Sequence, residues 1–355
     1  MNYGEVLTAQ AITVKQWNRQ LFSEYLQDYF WFRFTGMDDG AIIHVKEDLS
    51  KLKGDTINFQ IRSEIIGGLQ EGTTYTSSEG NEGMMEFYNW SVSLKEVRRT
   101  VKFEGVKLSN QRVAFELLSA ARPALSDANR QKLEADTTTM LTDTASGRVQ
   151  ARYMYGALDS NWNATHATAL ANVDNTNDKQ STTMIEDCKL KARLSGYAKI
   201  RPWKVKTGME GGIEKWFVYV MHPYCARDMK RNDASWKNAA VNLPPTTNMK
   251  SPIYSGSTFL GSWDGVLLYE WDGIPLVSST IVTAHNMLLG AQAGVLSWSQ
   301  HPEFDSEAKD FGQIQRFQSD EIRGEGKVVW DRNTVDGNIA NEDNGVVHCF
   351  AAAVA

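Results

Sequence analysis

Apolar and polar residues alternate with a period of two in two stretches that flank a glycine-rich turn. Ile57, Phe59 and Ile61 alternate with Asn58 and Gln60, and Trp90, Val92 and Leu94 alternate with Ser91 and Ser93. Such alternation marks half-buried strands. Together the stretches predict one long antiparallel excursion between Gly54 and Gly105, with arms at 54–62 and 87–103. Between the arms lie Gly67, Gly68, Gly72, Gly80 and Gly83, and no Lys or Arg. A lone two-stranded ribbon is marginally stable in water. The pattern therefore implies that another copy of the chain supplies its partner.

Beyond the excursion the period becomes helical. Ser109 suits an N-cap, and Asn110 to Leu141 predicts the longest helix, with Val113, Leu117, Leu118, Ala121, Leu125, Ala128 and Leu133 on its apolar face. Pro123 removes one ladder bond inside it and predicts a kink or a split. Near the N-terminus, Trp17, Leu21, Tyr25 and Leu26 stand close to helical spacing and run into Tyr29-Phe-Trp-Phe32. Either the core or a neighbouring chain has to cover that cluster. Residues 156–182, rich in Asn, Thr, Ala and Asp, read as a surface loop or insertion. A helix is expected from Thr183 to Leu194, and a strand from Trp216 to Met221 that His222-Pro223 ends before a short helix at 224–230. Further strands are expected at 265–270, 274–278, 295–298, 313–317, 321–330 and 345–355. Strands and helices neither alternate nor segregate, which predicts an α+β class. No internal repeat is visible.

The bulk numbers narrow the field. The chain has 355 residues, 42% hydrophobic and 23% charged, enough for a sizeable core in one large domain or two to three smaller ones. Its net charge of −6 argues against a general nucleic-acid binder. Cys188, Cys225 and Cys349 are odd in number and far apart, which fits buried thiols in a reducing compartment rather than a disulfide framework. The first residues lack the basic start and apolar run of a secretory signal. No apolar stretch is long enough to span a bilayer. The eleven Trp suit cores, subunit interfaces or carbohydrate binding.

Charge is unevenly placed. The tip of the excursion, Ser63 to Glu86, carries Glu64, Glu71, Glu79, Glu82 and Glu86. The returning segment carries Lys95, Arg98, Arg99 and Lys102 against Glu96 and Glu104. An acidic tip and a basic stem permit head-to-tail docking of copies, or they form an ordinary solvated loop. A second basic stretch, Lys189 to Lys206, reads either as a nucleic-acid contact with Trp203 as a stacking platform or as a salt-bridge surface between subunits.

Signatures of chemistry are missing. Gly208-Met-Glu-Gly-Gly212 lacks the ending of a phosphate loop, and no nucleophile elbow occurs. His44, His166, His222, His285, His301 and His348 have no metal-type spacing, so no metal or cofactor is expected. Carboxylate pairs such as Asp38-Asp39 and Glu342-Asp343 are present, but sequence does not say which of them face a cleft.

Several motifs, in order along the chain, resemble one family. They are Lys51-Leu-Lys-Gly-Asp-Thr-Ile-Asn-Phe59, Glu79-Gly-Asn-Glu82, Phe87-Tyr88 and Ser109-Asn-Gln-Arg112, then Val218-Tyr-Val-Met-His-Pro223, Ala226-Arg-Asp-Met229, the 261–265 turn and Glu321-Ile-Arg-Gly324. The chain resembles major capsid proteins of tailed phages, and among them the N4-like coat proteins with the fold named after phage Hong Kong 97. The resemblance implies an N-terminal arm (1–40), an extended loop overlapping a neighbour (41–107), a spine helix and first part of a peripheral domain (108–184), a mainly axial domain (185–310) and C-terminal peripheral strands (311–355). It implies a non-enzymatic coat protein that forms hexamers and pentamers of an icosahedral head around double-stranded DNA. Assembly would take place in the host bacterial cytoplasm. Portal, scaffolding and decoration proteins would be partners, DNA would be touched only weakly, and no membrane is involved. The chain enters its arm almost at once, which hints at separate scaffolding.

Candidate intersubunit contacts on this reading are Trp17, Phe30, Trp31, Arg62, Glu64, Glu71, Glu79, Glu82, Trp90, Arg98 and Arg99. Alternatives are an encapsulin-type compartment shell, a tail or baseplate component, and a carbohydrate-active hydrolase. The last leaves the long hairpin without a purpose.

Overall fold

This computed structural model describes residues 29–354 except 39, 47–55, 63–68, 73–76, 78, 84–86, 107–116, 145–147, 195–198, 207–212, 243–257 and 331–341. From Tyr29 the chain makes a 3-10 turn, Phe30–Phe34, and two short strands, β1 (Thr35–Gly36) and β2 (Ile43–Lys46). The hairpin follows as β3 (Thr56–Arg62) and β4 (Phe87–Ser93), and β5 (Lys95–Glu104) continues from it. Helix α1 (Leu117–Leu141) leads to β6 (Tyr153–Tyr155), α2 (His166–Ala171) and α3 (Thr182–Leu194). Next come β7 (Trp203–Lys206), β8 (Ile213–Met221), α4 (Pro223–Asn232) and α5 (Ala234–Asn242). Strands β9 (Phe259–Trp263), β10 (Val266–Glu270), β11 (Leu276–Ser278) and β12 (Val282–Leu289) precede a long hairpin, β13 (Gly294–Lys309) and β14 (Ile314–Lys327). Short β15 (Val329–Trp330) and β16 (Glu342–Asp343) precede the last strand, β17 (Val346–Ala352).

Two sheets organise these elements. An eight-stranded mixed sheet runs β6-β17-β12-β8-β10-β9, with β11 on β12 and β7 on β8. Its central strands are apolar on both faces because both faces are covered. Val218 and Val220 of β8 point into one core with Phe30, Trp31, Phe34, Leu133 and Leu141. Phe217, Tyr219 and Met221 point into another, under α3 and α4. All three cysteines are buried in or beside that second core and unbonded, as their isolation in sequence implied. His222 ends β8 and caps α4, its Nδ1 accepting the Tyr224 N–H at 3.2 Å, with Pro223 at the first helical position.

The second sheet has five strands, β1-β2-β13-β14-β5. Helix α1 packs across it. Leu125 of α1 closes an apolar cluster with Phe304, Phe317, Val101 and Phe103. Pro123 lies within α1 without splitting it. The proline is exposed, so the carbonyl it leaves without a donor can be hydrated.

The sheets redraw the expected C-terminal boundary. A division at residue 310 cuts the tight β13–β14 hairpin, whose strands pair from Gly294↔Lys327 to Lys309↔Ile314. Residues 314–327 join β5, whereas β17 pairs with β12 and β6 in the other sheet. The apolar run 346–352 has both faces to bury, and in the eight-stranded sheet both faces of β17 are covered.

Residues 156–182 are likewise more than a loop. Asp178 is buried and its carboxylate accepts the Ala157 N–H (2.7 Å), the Asp174 N–H (2.8 Å) and the Asn161 amide (3.1 Å). Gly156, at φ +66°, leaves room for it, since a β-carbon there would stand 2.1 Å from the Asp178 carboxyl carbon. Around this hub Leu170, Val173, Tyr153, Tyr155 and Phe350 form a small core.

Candidate assembly surface

The hairpin stands on the five-stranded sheet at its base. Strands β3 and β4 pair from Thr56↔Ser93 to Arg62↔Phe87. The inward row includes Ile57 and Val92, both buried. Beneath them β14 carries Gly324 and Gly326. A β-carbon at Gly324 would stand 2.7 Å from the Ser93 carbonyl, and one at Gly326 would stand 2.8 Å from the Trp90 ring. Glycine inside a strand marks such a close approach. At its base the hairpin is therefore not a lone ribbon waiting for another copy: β14 lies under it, and Phe59 and Trp90 pack on Val295, Val328 and Trp330.

A buried charge cluster locks the same junction. Arg323 of β14 is fully buried and donates to Asp136 of α1 (2.6 Å), Glu321 (2.8 Å) and Glu325 (3.0 Å). Lys95, the first residue of β5, pairs with Glu325 and lies 3.7 Å from Asp136. Burial raises the Asp136 carboxyl pKa, but Lys132, Arg323 and Lys95 outweigh it and hold it below the usual range. Burial wins at Glu321, whose pKa is raised. The cluster ties helix, sheet and hairpin stem into one body.

Among the described residues of the outer hairpin the side chains are mostly exposed. Leu69 is 82% exposed, and Glu71, Glu79 and Glu82 are exposed at the tip. Their neighbourhood is stapled locally: Gln70 and Asn81 donate to the Ser77 carbonyl, and Glu82 accepts the Gly80 N–H at 2.9 Å. Arg98 and Arg99 are exposed on β5, Arg98 pairing with Glu96. Trp90 is half-buried against its own chain. Trp17, Glu64 and the Arg62 side chain lie outside the described residues.

Phe30 and Trp31 correct the expectation for the arm. Trp31 is 0% exposed within the single chain, edge-on to Trp271 at 5.2 Å, with its indole N–H on Thr138. Phe30 stacks on Trp271 at 4.6 Å, and its N–H donates to Glu134 at 2.9 Å. These aromatics bind the start of the described chain to α1 and have no surface left for a neighbour. Of the two covers open to this cluster, the core holds these two residues.

The remaining polar candidates serve the fold. Lys189 and Lys191 pair with Asp264 (2.7 Å) and Asp159 (2.8 Å) of the same chain, while Arg193, Lys199, Arg201 and Lys204 are exposed. Glu342 and Asp343 each take a buried cation, Arg152 at 3.1 Å and Lys327 at 2.6 Å. Asp343 also accepts from His348 at 2.9 Å, and His348 contacts His285 at 2.8 Å. Two histidines 63 residues apart thus meet through β17–β12 pairing, which spacing along the chain does not reveal. Burial lowers both histidine pKa values. Among the described residues, no cluster of His, Cys, Asp and Glu is arranged to hold a metal ion.

Comparison with known proteins decides what this architecture is for. The family described as phage capsid protein matches residues 6–355. The chain belongs to the phage capsid protein family. It is a structural, shell-forming protein rather than an enzyme, and the hydrolase alternative falls. Solved capsid structures share the fold. That of cyanophage Pam1 superposes with a TM-score of 0.74 at 22% identity, covering 91% of this chain and 92% of that one. The capsid of Ralstonia phage GP4 gives 0.71 at 22% identity, with 92% and 91% covered. The head of Helicobacter pylori bacteriophage KHP40 gives 0.68 at 15% identity, with 91% and 92% covered. No curated protein sequence matches significantly. The capsid protein has the expected α+β fold of the Hong Kong 97 type.

Sequence reasoning found the hairpin and its charges but missed its foundation. Gly324-Glu-Gly326 was visible as two glycines two apart in a strand pattern, a signal of close backbone approach. Arg323 left no signal, because a buried arginine looks like an exposed one until its carboxylates converge.

Proposed function

We propose that the chain is the major capsid protein of a tailed double-stranded DNA phage, of the N4-like kind, and that it builds an icosahedral head from hexamers and pentamers. The observation that carries this reading is a hairpin anchored at its base and exposed at the described residues of its tip. Such an arm gains stability only when another copy covers it. The acidic tip, with Glu71, Glu79 and Glu82, docks on positive charge of a neighbour, for which Arg98 and Arg99 are the candidates. Many weak contacts of this kind add to a closed shell through symmetry.

In this layout the five-stranded sheet with α1 is the peripheral unit, the hairpin is the extended loop, and the eight-stranded sheet forms most of the axial unit. Residues 1–40 serve as the arm. An acidic coat has little grip on phosphates, which suits a container that must release its genome. Portal, scaffolding and decoration proteins are the expected partners, and assembly occurs in the host bacterial cytoplasm before the protein resides in the virion.

Negative-stain electron microscopy of the purified protein after size-exclusion chromatography tests the proposal. Closed shells, or rings of pentamer and hexamer size, are expected. A compact monomer at all salt and protein concentrations, with scaffolding protein supplied, would sink it.

A further inference from the structure

No Asp or Glu occurs from Lys189 to Gly208. Lys189 and Lys191 are neutralised within the chain by Asp264 and Asp159. Arg193, Lys199, Arg201, Lys204 and Lys215 are exposed, and among the described residues no ion pair reaches any of them.

The fold gathers these side chains on one side of the eight-stranded sheet. Strands β7 and β8 run antiparallel, with Trp203 opposite Trp216 and Lys204 opposite Lys215. Trp203, Val205 and Trp216 turn into the first core, with Phe34 and Val218. Alternation along each strand therefore sends Lys204 and Lys215 to the other face, which α3 and α4 cover farther along. Glu214 takes the first face, where it accepts the Trp216 indole N–H at 2.9 Å. Arg193 lies in the last turn of α3. The Ile200 N–H donates to the Ala192 carbonyl at 2.9 Å, which brings Lys199 and Arg201 against the end of that helix. Ile200 points into the second core, so its two neighbours point away from it. Asp38 is exposed two residues from Gly40, which lies against the Lys204 side chain, and Asp39 is outside the described residues. Two carboxylates do not offset five cations, and the ridge is positive.

The chemistry of the ridge suits phosphate. Like charges directly opposite each other destabilise a strand pair, so Lys204 and Lys215 call for dense negative charge. Duplex DNA supplies one charge per about 1.7 Å of its axis. Lysine is depleted at protein–protein interfaces and is a common source of phosphate contacts. Trp203, expected from sequence to be a possible stacking platform, is buried instead, edge-on to Phe34 at 6.0 Å. With no exposed ring among its described residues, the ridge can hold backbone but cannot stack bases, which favours a duplex over a single strand. Leu190 and Leu194 are exposed on the neighbouring stripe of α3 and would anchor a protein instead, a case the test separates.

We propose that the ridge of Arg193, Lys199, Arg201, Lys204 and Lys215 is a contact for the phosphate backbone of the double-stranded DNA that the head encloses. The identity of that duplex as packaged genome rests on the capsid reading. The contact is local and salt-sensitive, on a chain whose net charge is −6, so it positions the genome without gripping it along its length.

Fluorescence anisotropy of the purified protein with a short fluorescein-labelled duplex, across sodium chloride concentrations, tests it. The duplex should bind with an affinity that falls as salt rises. Arg193→Gln/Arg201→Gln/Lys204→Gln/Lys215→Gln should keep the wild-type melting temperature and shell yield, since these side chains are exposed. Its slope of log affinity against log salt should fall by about one for each phosphate contact removed. Lys230→Gln/Arg231→Gln, which removes exposed charge elsewhere, should leave the slope unchanged. No binding by the wild type at low salt, or wild-type affinity and slope in the fourfold variant, would overturn the contact. A fourfold variant that loses shell yield, or loses binding of a peptide spanning residues 69–83 rather than of the duplex, would also overturn it and assign the ridge to a neighbouring copy. Duplex binding at the ridge by a wild-type protein that forms no shells would overturn the capsid reading and leave the contact standing.

Discussion

The indole of Trp90 lies against the bare backbone of Gly326, so close that a β-carbon there would stand 2.8 Å from two ring carbons. This contact is the footing of the extended hairpin. Gly326→Ala should push Trp90 outward and loosen the whole β3–β4 ribbon. Overpacking of this kind costs about 1–3 kcal/mol. A lower urea midpoint is expected, together with faster proteolysis between residues 63 and 86 and a loss of assembly. Unchanged proteolysis would show that the hairpin does not depend on this footing.

Arg323 holds three carboxylates at once, and removing it leaves them buried together. Arg323→Met should destabilise the chain by roughly 3–5 kcal/mol, the range seen when one partner of a buried pair is deleted. Urea denaturation followed by Trp fluorescence measures this directly. A loss near zero would mean that the carboxylates find water or take up protons at no cost.

Asp178 is the hub of the 156–182 insertion, with three donors on one carboxylate. Asp178→Ala orphans them, at about 1–3 kcal/mol for each buried donor left unmade. The damage should stay local. Limited proteolysis should cut within 157–177 while the eight-stranded sheet remains protected, whereas global unfolding would show that the insertion is integral to that sheet.

Acid should weaken the fold from near neutrality. His285 and His348 are buried and their pKa values are held below the ordinary histidine value, mainly by burial and, at His285, by the neighbouring imidazole. A base whose folded pKa is depressed contributes stability above its unfolded pKa and loses it as pH falls toward the folded one. The groups facing the pair are Asp343, Lys327, Asp143 and His166. Asp343, with its pKa held low by His348 and Lys327 against the opposing effect of burial, adds a second loss only below the carboxylate range. The melting temperature should therefore decline as pH drops below about 6.5, and His285→Gln/His348→Gln should flatten that decline.

How much of this was legible in the sequence follows from range. Period-two alternation at 57–61 and 90–94 is a local signal, and it located the hairpin. The continuous apolar run 216–221 announced a strand, and His222-Pro223 announced its end. What could not be read was long-range. Trp31 suited a neighbouring chain as well as the core until Trp271 and Thr138 closed over it. Asp178 looked like loop polarity until Gly156 made space for it. Residue 310 falls in the turn of the β13–β14 hairpin, which the sequence did not announce, because pairing partners outside a strand are not written in its own residues. Motifs in order along the chain carried the family where no single one did.

The central claim is that copies interlock through the hairpin between residues 54 and 105. Electron microscopy of the wild-type chain beside a chain lacking residues 67–83, each first shown by circular dichroism to be folded, tests it most directly. Closed shells from the wild type and only monomers or open capsomers from the deletion are expected. Closed shells of equal yield from both would contradict it.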